Sequence, residues 1–347
     1  MSLLQNKWLY DSSTRLAIYV EAFKRGQVDK FDKLLRESDE SLSRILWRLK
    51  EERISDLSRV QLNRLISSVR KAQSKVYSGY EVSLARTLRS FMEVDLDINR
   101  RIWTNGHKLL DEAFNVASIP SERTALKYVL ANADSKQSLL GLAAISGTAG
   151  NSNSNKRLWS TLSNKPIPAS GMSALEMIKH FSLVNRAAVE NTIRRAWVEG
   201  WTVKQLNQEL LGETAQGSSS VLTKTRNQSK AVVNTVIGET HNSVQNAVAS
   251  GMFGRYVWIS LMDDKTTEIC RSRHMQIYHY GSGPIPPAHY NCRSHIAPLG
   301  SGERYQVDES LLQWVKRQPL AVKLNLPFTK FITLDEFSDS INLILSA

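Results

Sequence analysis

Apolar residues recur every three or four positions through the first part of the chain, and this period predicts amphipathic helices. The first helix has an apolar face from Leu16 to Phe23 and is predicted to end at Gly26. A second helix is predicted over residues 39–54, and apolar stripes continue from there to Phe114. Glycine and proline are scarce, and charged residues of both signs occupy the outward positions. Residues 1–146 are therefore predicted to form an extended helical bundle or hairpin.

The helical period is interrupted after residue 146, where the composition changes. Residues 147–155 are mostly Gly, Ser and Asn, and residues 165–171 contain two prolines and a glycine. Such segments are typical of loops, so residues 147–172 are predicted to form a flexible linker. Helical periodicity then returns in three segments: residues 173–199, residues 202–211 with Thr202 as the N-cap, and residues 223–250.

After residue 251 the pattern changes to alternation that is rich in β-forming residues. The candidate strands are residues 255–262, 276–280 and 293–298. A short helix carrying Cys270 is expected between the first two, and the closeness of the strands predicts a small antiparallel sheet. The predicted fold is therefore mostly α. An extended N-terminal helical region is followed by an α+β domain over residues 173–300 and a C-terminal tail over residues 301–347.

Composition narrows the function classes further. The 347 residues are enough for two or three domains, and the formal charge is +12. The positive charge is spread along the chain without a Lys/Arg-rich arm, which indicates only a general compatibility with nucleic acid. The two cysteines, Cys270 and Cys292, exclude a disulfide-dense secreted scaffold. Neither a membrane-length apolar run nor a signal-peptide pattern occurs, so a reducing cytoplasm is expected.

Histidine and cysteine residues are concentrated around the predicted sheet. Zinc prefers thiolate and imidazole ligands, and the chain offers both in one segment. The candidate four-ligand zinc site consists of Cys270, His289, Cys292 and His295. His274 is an alternative partner for Cys270 if the turn between them is helical. The pattern also fits buried cysteines with histidines bonded to the loop backbone, whereas a disulfide is disfavoured in a reducing compartment.

An enzymatic interpretation of the same residues is weaker. His289, Asn291 and His295 faintly resemble a metal-dependent nuclease, and a centre built on His289, Cys292 and His295 is the alternative function. Such a nuclease needs metal ligands on a following helix, but Ile-Ala-Pro-Leu-Gly follows His295. Nothing in the sequence activates a Cys–His pair, and no phosphate-binding loop pattern is present. The sequence therefore predicts a protein that is not an enzyme.

A family resemblance is carried by several segments in a fixed order. They are Glu239-Thr-His-Asn-Ser on a helix, Trp258 on a strand, Asp263-Asp264-Lys-Thr-Thr-Glu-Ile-Cys270, and Pro286-Pro-Ala-His289-Tyr-Asn291-Cys292-Arg293. Over about residues 173–320 this order resembles the phage head-morphogenesis domain of the phage Mu F-like minor head proteins. The departures are Thr267 and Ser294, which stand where the family has cysteines, and Gly238, where the family often has arginine.

The resemblance implies a structural virion protein. Family members lie at the portal vertex or in the head interior in few copies, and they take part in head assembly, DNA packaging or DNA delivery. It follows that residues 1–146 are a candidate portal-docking element. The implied partners are the portal protein and other head proteins, with non-specific contact to packaged DNA and none to a membrane. The expected location is the virion, after assembly in the host cytoplasm.

The same resemblance singles out the residues that are expected to hold the small sheet and its loop together. These residues are Asp264, Cys270, His289, Asn291, Cys292 and Arg293. A structural zinc is the one cofactor to consider, bound by the thiols that this chain retains.

Overall fold

The computed structural model describes residues 2–50, 52–114, 152–212, 220–300 and 311–318, together with residues 323, 326–327, 330–340 and 344. Across these residues the chain is mainly helical, and three short antiparallel strands follow the long helices. The predicted fold class is therefore confirmed. None of the helices in these ranges combines the length and the apolar character that crossing a membrane would require.

Two long helices form the N-terminal region. Helix α1 (Ser2–Leu46) is followed by a 3-10 turn (Ile54–Asp56) and by helix α2 (Arg59–Phe114). The predicted helix end at Gly26 was wrong, as was the separate helix over residues 39–54. Gly26 lies within α1, and the absence of a side chain lets the chain at Ile332 approach the helix: a Cβ at Gly26 would lie 2.8 Å from the carbonyl oxygen of Ile332. Residues 115–146 of the predicted helical region lie outside the described residues.

The segment predicted as a flexible linker contains a helix. Helix α3 (Ser152–Asn164) covers much of it, and residues 147–151 lie outside the described residues. Leu158 and Leu162 lie one helical turn apart, and each is only 5% exposed. Their burial stabilises a helix that the surrounding Ser and Asn residues alone would not predict.

The next three helices agree closely with the sequence pattern. Helix α4 (Ala174–Glu199) ends at Gly200, which has a positive φ of 71°. Helix α5 (Val203–Leu211) begins at Thr202, whose side chain forms a capping box with Gln205. Helix α6 (Val221–Ala249) then leads into the sheet.

The sheet has the order β2-β1-β3, and both pairings are antiparallel. The elements in chain order are β1 (Arg255–Ile259), helix α7 (Glu268–Arg273), β2 (Ile277–His279) and β3 (His295–Leu299). The central strand pairs Tyr256 with Tyr278 on one side and Ile259 with His295 on the other. Each strand is shorter than predicted. Most of the predicted site residues lie in the segments that connect the strands.

The described chain divides into two compact units that are interleaved in sequence. The first comprises Met1–Gly26, Leu88–Ala174 and Asn234–Ala347, and the second comprises Gln27–Thr87 and Leu175–Val233. Each compact unit therefore combines segments that are distant along the chain. The reason is physical: α1 and α2 are long enough to supply apolar residues to more than one core.

The second unit has a continuous aliphatic core. Its members lie on the 3-10 turn and on five helices, and they include Leu46, Ile54, Leu65, Ile193, Leu206 and Leu222. Aromatic side chains extend it, with Tyr80 against both Phe31 and Phe181 at ring-centroid distances of 5.0 Å.

In the first unit, part of the predicted C-terminal tail is built into the core. Helix α8 (Leu311–Arg317) places Trp314 and Arg317 against Asp11 of α1, with a hydrogen bond of 2.9 Å from the indole and an ion pair of 2.6 Å from the guanidinium. Helix α9 (Leu334–Asp339) brings Phe337 against Phe91, with their ring centroids 5.1 Å apart. These residues are therefore an integral part of this unit.

Candidate metal centre

Cys270 and Cys292 come together beneath the central strand. Cys270 lies on α7, and Cys292 lies in the loop just before β3. Both are buried, at 2% and 3% exposure, and they pack with the indole of Trp258. Trp258 donates its indole N–H to Ser260 Oγ, and Ser260 Oγ in turn donates to the carbonyl of Cys270. The first turn of α7 is thereby tied to the end of β1.

Three potential metal-binding atoms converge at this point. Cys270 Sγ lies 3.7 Å from Cys292 Sγ and 3.2 Å from His289 Nε2. All three ligand atoms lie within 4.8 Å of one another, and this is the only such group of His, Cys, Asp or Glu among the described residues. Three of the four predicted zinc ligands are thus brought together.

The two thiols are joined by a hydrogen bond. The hydrogen bond with Cys270, together with the backbone N–H groups of Ser294 and Ala288, lowers the pKa of Cys292 against the opposing effect of burial. The same hydrogen bond, together with burial, raises the pKa of Cys270. These surroundings therefore favour the thiolate form at Cys292 more than at Cys270. A thiolate held by backbone N–H groups is also the form that binds metal ions.

His289 is oriented by its other ring nitrogen. Its Nδ1 lies 2.8 Å from the carbonyl oxygen of Tyr290, which can only accept a hydrogen bond. The proton therefore lies on Nδ1, and Nε2 presents a lone pair to Cys270. Histidine ligands of metal ions are usually oriented in this way, by a backbone carbonyl on the second nitrogen.

Asn291 attaches the loop to helix α6. Its φ of 59° is left-handed, a conformation that asparagine tolerates better than most residues. Its backbone N–H donates to Thr235 Oγ1, and its side-chain oxygen accepts a hydrogen bond of 2.9 Å from Asn234. Asn291 thus makes two contacts with one helix.

Arg293 forms a two-pronged ion pair with Asp263, at 2.7 and 2.6 Å. The hydrogen bonds from Arg293 lower the pKa of Asp263 to about 2, so the carboxylate stays ionised. The sequence prediction named Asp264; both aspartates are exposed, and Asp263 is the one that forms the ion pair with Arg293. Two adjacent aspartates in a turn cannot be distinguished by pattern, since only one of them faces the arginine.

His295 is not part of the cluster, which corrects the four-ligand prediction. It is the first residue of β3, where it pairs with Ile259, and it is 2% exposed. His241, His274 and Lys24 are its charged or titratable neighbours, and burial followed by these neighbours lowers its pKa to about 3. Neither ring nitrogen has a hydrogen-bond partner within the described part of the chain. The alternative ligand, His274, instead accepts a hydrogen bond from the backbone N–H of Ser260.

The sequence prediction missed a second polar group in the same unit. His241 of α6 and Asp95 of α2 are both buried, and the His241 Nδ1 lies 3.0 Å from the carboxylate. Desolvation raises the pKa of Asp95. The sequence signal was the run of polar residues from Glu239 to Ser243. These residues interrupt the apolar stripe of α6 and are nevertheless buried.

The chain matches no protein-family model, and no curated protein or solved structure matches it. The resemblance to the phage head-morphogenesis domain therefore rests on the motif residues alone.

Proposed function

We propose that this protein is a structural minor head protein of a tailed bacteriophage, acting at the portal vertex or inside the head. The observation that carries the proposal is the arrangement of the matching motif residues. Asn291 binds α6, Arg293 binds Asp263, and His289 and Cys292 meet Cys270. Each residue thus joins two chain segments, which supports a role in bracing the sheet and its loop.

The proposed role is binding and assembly without turnover. The partners are the portal protein and other head proteins, and the N-terminal helices are the proposed docking element. Contact with packaged DNA would be non-specific, because the excess of basic residues is spread over the chain. The proposed location is the virion, reached from the host cytoplasm.

The alternative function is a metal-dependent nuclease or another virion enzyme that uses His289, Cys292 and His295. That centre requires the three side chains in one place. The structure brings His289 and Cys292 together but leaves His295 outside the group. The geometry therefore favours the structural role.

Co-expression with the portal protein of the same phage tests the proposal. We expect the full-length chain to co-purify with the assembled portal ring through size-exclusion chromatography, and the complex to persist in the presence of nuclease. The major capsid protein expressed without the portal serves as the control for unspecific association. Failure to bind the portal would contradict the proposal. DNA cleavage by the purified chain that is lost in His289→Ala would contradict it as well and favour the enzyme.

A further inference from the structure

We propose that Cys270, Cys292 and His289 bind one Zn²⁺ ion, and that a water molecule or another external ligand occupies the fourth coordination position. This inference does not rest on a role in phage assembly. It differs from the four-ligand site predicted from the sequence, because His295 does not take part.

The separation of the sulfur atoms fits a zinc ion between them. Zinc–sulfur bonds of about 2.3 Å at the tetrahedral angle place two sulfurs about 3.8 Å apart. Cys270 Sγ and Cys292 Sγ are 3.7 Å apart. A zinc-bound imidazole nitrogen would lie about 3.6 Å from each sulfur. His289 Nε2 is 3.2 Å from Cys270 Sγ and within 4.8 Å of Cys292 Sγ, so a shift of the ring toward Cys292 completes the arrangement.

The donor chemistry selects the metal. Two thiolates and one neutral imidazole are soft or intermediate ligands, which suit Zn²⁺ and do not suit Mg²⁺ or Ca²⁺. Two thiolate charges balance the charge of the ion, so a buried site would carry no net charge. Within the described residues no further His, Cys, Asp or Glu joins the group, which leaves one tetrahedral position open.

The groups around the ligands are already placed for metal binding. The Tyr290 carbonyl fixes the His289 ring, and the N–H groups of Ala288 and Ser294 point at Cys292. The hydroxyls of Thr267 and Ser294 hydrogen-bond Cys270. Hydroxyls therefore stand beside the thiols at the two positions where the resemblance would place cysteines. They support the ligands and leave the fourth position to solvent, which reaches the half-buried His289.

The metal content of the full-length protein, purified under reducing conditions, tests the site. Inductively coupled plasma mass spectrometry is expected to find about one zinc per chain, retained through desalting. Cys270→Ser, Cys292→Ser and His289→Ala are each expected to lose it. His295→Phe is the matched control and is expected to retain it, since the ring of His295 lies outside the group.

Cobalt substitution of the unaltered chain avoids any dependence on how well the variants fold. Bound Co²⁺ is expected to give sulfur-to-metal charge-transfer absorption and the strong visible bands of a four-coordinate ion. Added imidazole should shift the visible bands by replacing the external ligand. The proposal would be overturned if the purified chain contained no zinc and gave no cobalt bands while both thiols still reacted with a thiol reagent. Loss of zinc in His295→Phe, or cobalt bands that imidazole does not change, would overturn the three-ligand assignment.

Discussion

Acidification from pH 8 to pH 5 is expected to remove about 2 kcal/mol of stability from the chain through His295 alone. The pKa of His295 is lowered to about 3 in the folded protein, mainly by burial. In the unfolded chain its pKa is about 6.5. The unfolded state therefore takes up a proton between these values while the folded state does not. The stabilising contribution is complete above pH 6.5 and is lost progressively as the pH falls toward 3.

The surroundings of His295 explain why protonation is unfavourable in the folded state. Lys24 from α1, His241 from α6 and His274 from the end of α7 face it, and each disfavours a second positive charge. The carboxylates that contact two of these neighbours are already engaged, because Asp95 bonds His241 and Glu21 pairs with Lys24. A protonated His295 would thus be a buried cation without a partner.

The variant His295→Phe isolates this contribution. A phenyl ring has nearly the same shape, and the two ring nitrogens have no partner to lose within the described residues. Urea unfolding at pH 8 and pH 5 measures the free energy of unfolding at each pH. Between these two pH values the variant should lose about 2 kcal/mol less stability than the unaltered chain. His279→Ala, at an exposed histidine of β2, is the control and should keep the full loss. An equal loss in His295→Phe and the unaltered chain would refute this explanation.

Replacing Gly26 and Gly79 by alanine is expected to change stability in opposite directions. Both glycines lie inside long helices, where alanine is favoured over glycine by about 1 kcal/mol. At Gly79 a Cβ meets nothing within 4 Å, so Gly79→Ala should gain about 0.5–1 kcal/mol. At Gly26 the Cβ would lie 2.8 Å from the backbone oxygen of Ile332, which cannot rotate away as a side chain would. Overpacking of about 1–3 kcal/mol should outweigh the helical gain there.

Equilibrium unfolding of the two variants in parallel measures this difference. Each serves as the matched control for the other, because the substitution and the helical context are the same. We expect a gap of about 2 kcal/mol between them. A Gly26→Ala protein as stable as Gly79→Ala would show that the chain at Ile332 does not pack against α1.

The periodic apolar pattern predicted the helices well, because burial of one face is what stabilises them. The pattern failed at positions where contacts between distant segments determine the local structure. Glycine often ends helices, yet Gly26 lies inside one, at the point where another segment of the chain approaches it. The Ser- and Asn-rich stretch over residues 152–164 has the composition of a linker, yet Leu158 and Leu162 give it a buried face. Local composition reveals neither the approach of Ile332 to Gly26 nor the burial of the two leucines.

The sequence indicated the types of ligand that the candidate site offers, but only three of the four predicted ligands come together. The spacing of His289, Cys292 and His295 suggests one compact group of ligands. His295, however, begins strand β3, where it pairs with Ile259 and is buried near His241. The Arg293 partner could not be chosen between Asp263 and Asp264, because turn geometry decides which carboxylate faces the guanidinium. The buried His241–Asp95 pair joins residues that are 146 positions apart, a separation that no local pattern reveals.

Quantitative mass spectrometry of purified phage particles tests the central claim most directly. The proposal that this chain is a structural minor head protein predicts that its peptides are present in particles purified through a density gradient and treated with protease. It also predicts an abundance far below that of the major capsid protein and close to that of the portal protein. The absence of these peptides from intact, DNA-filled particles would contradict the proposal.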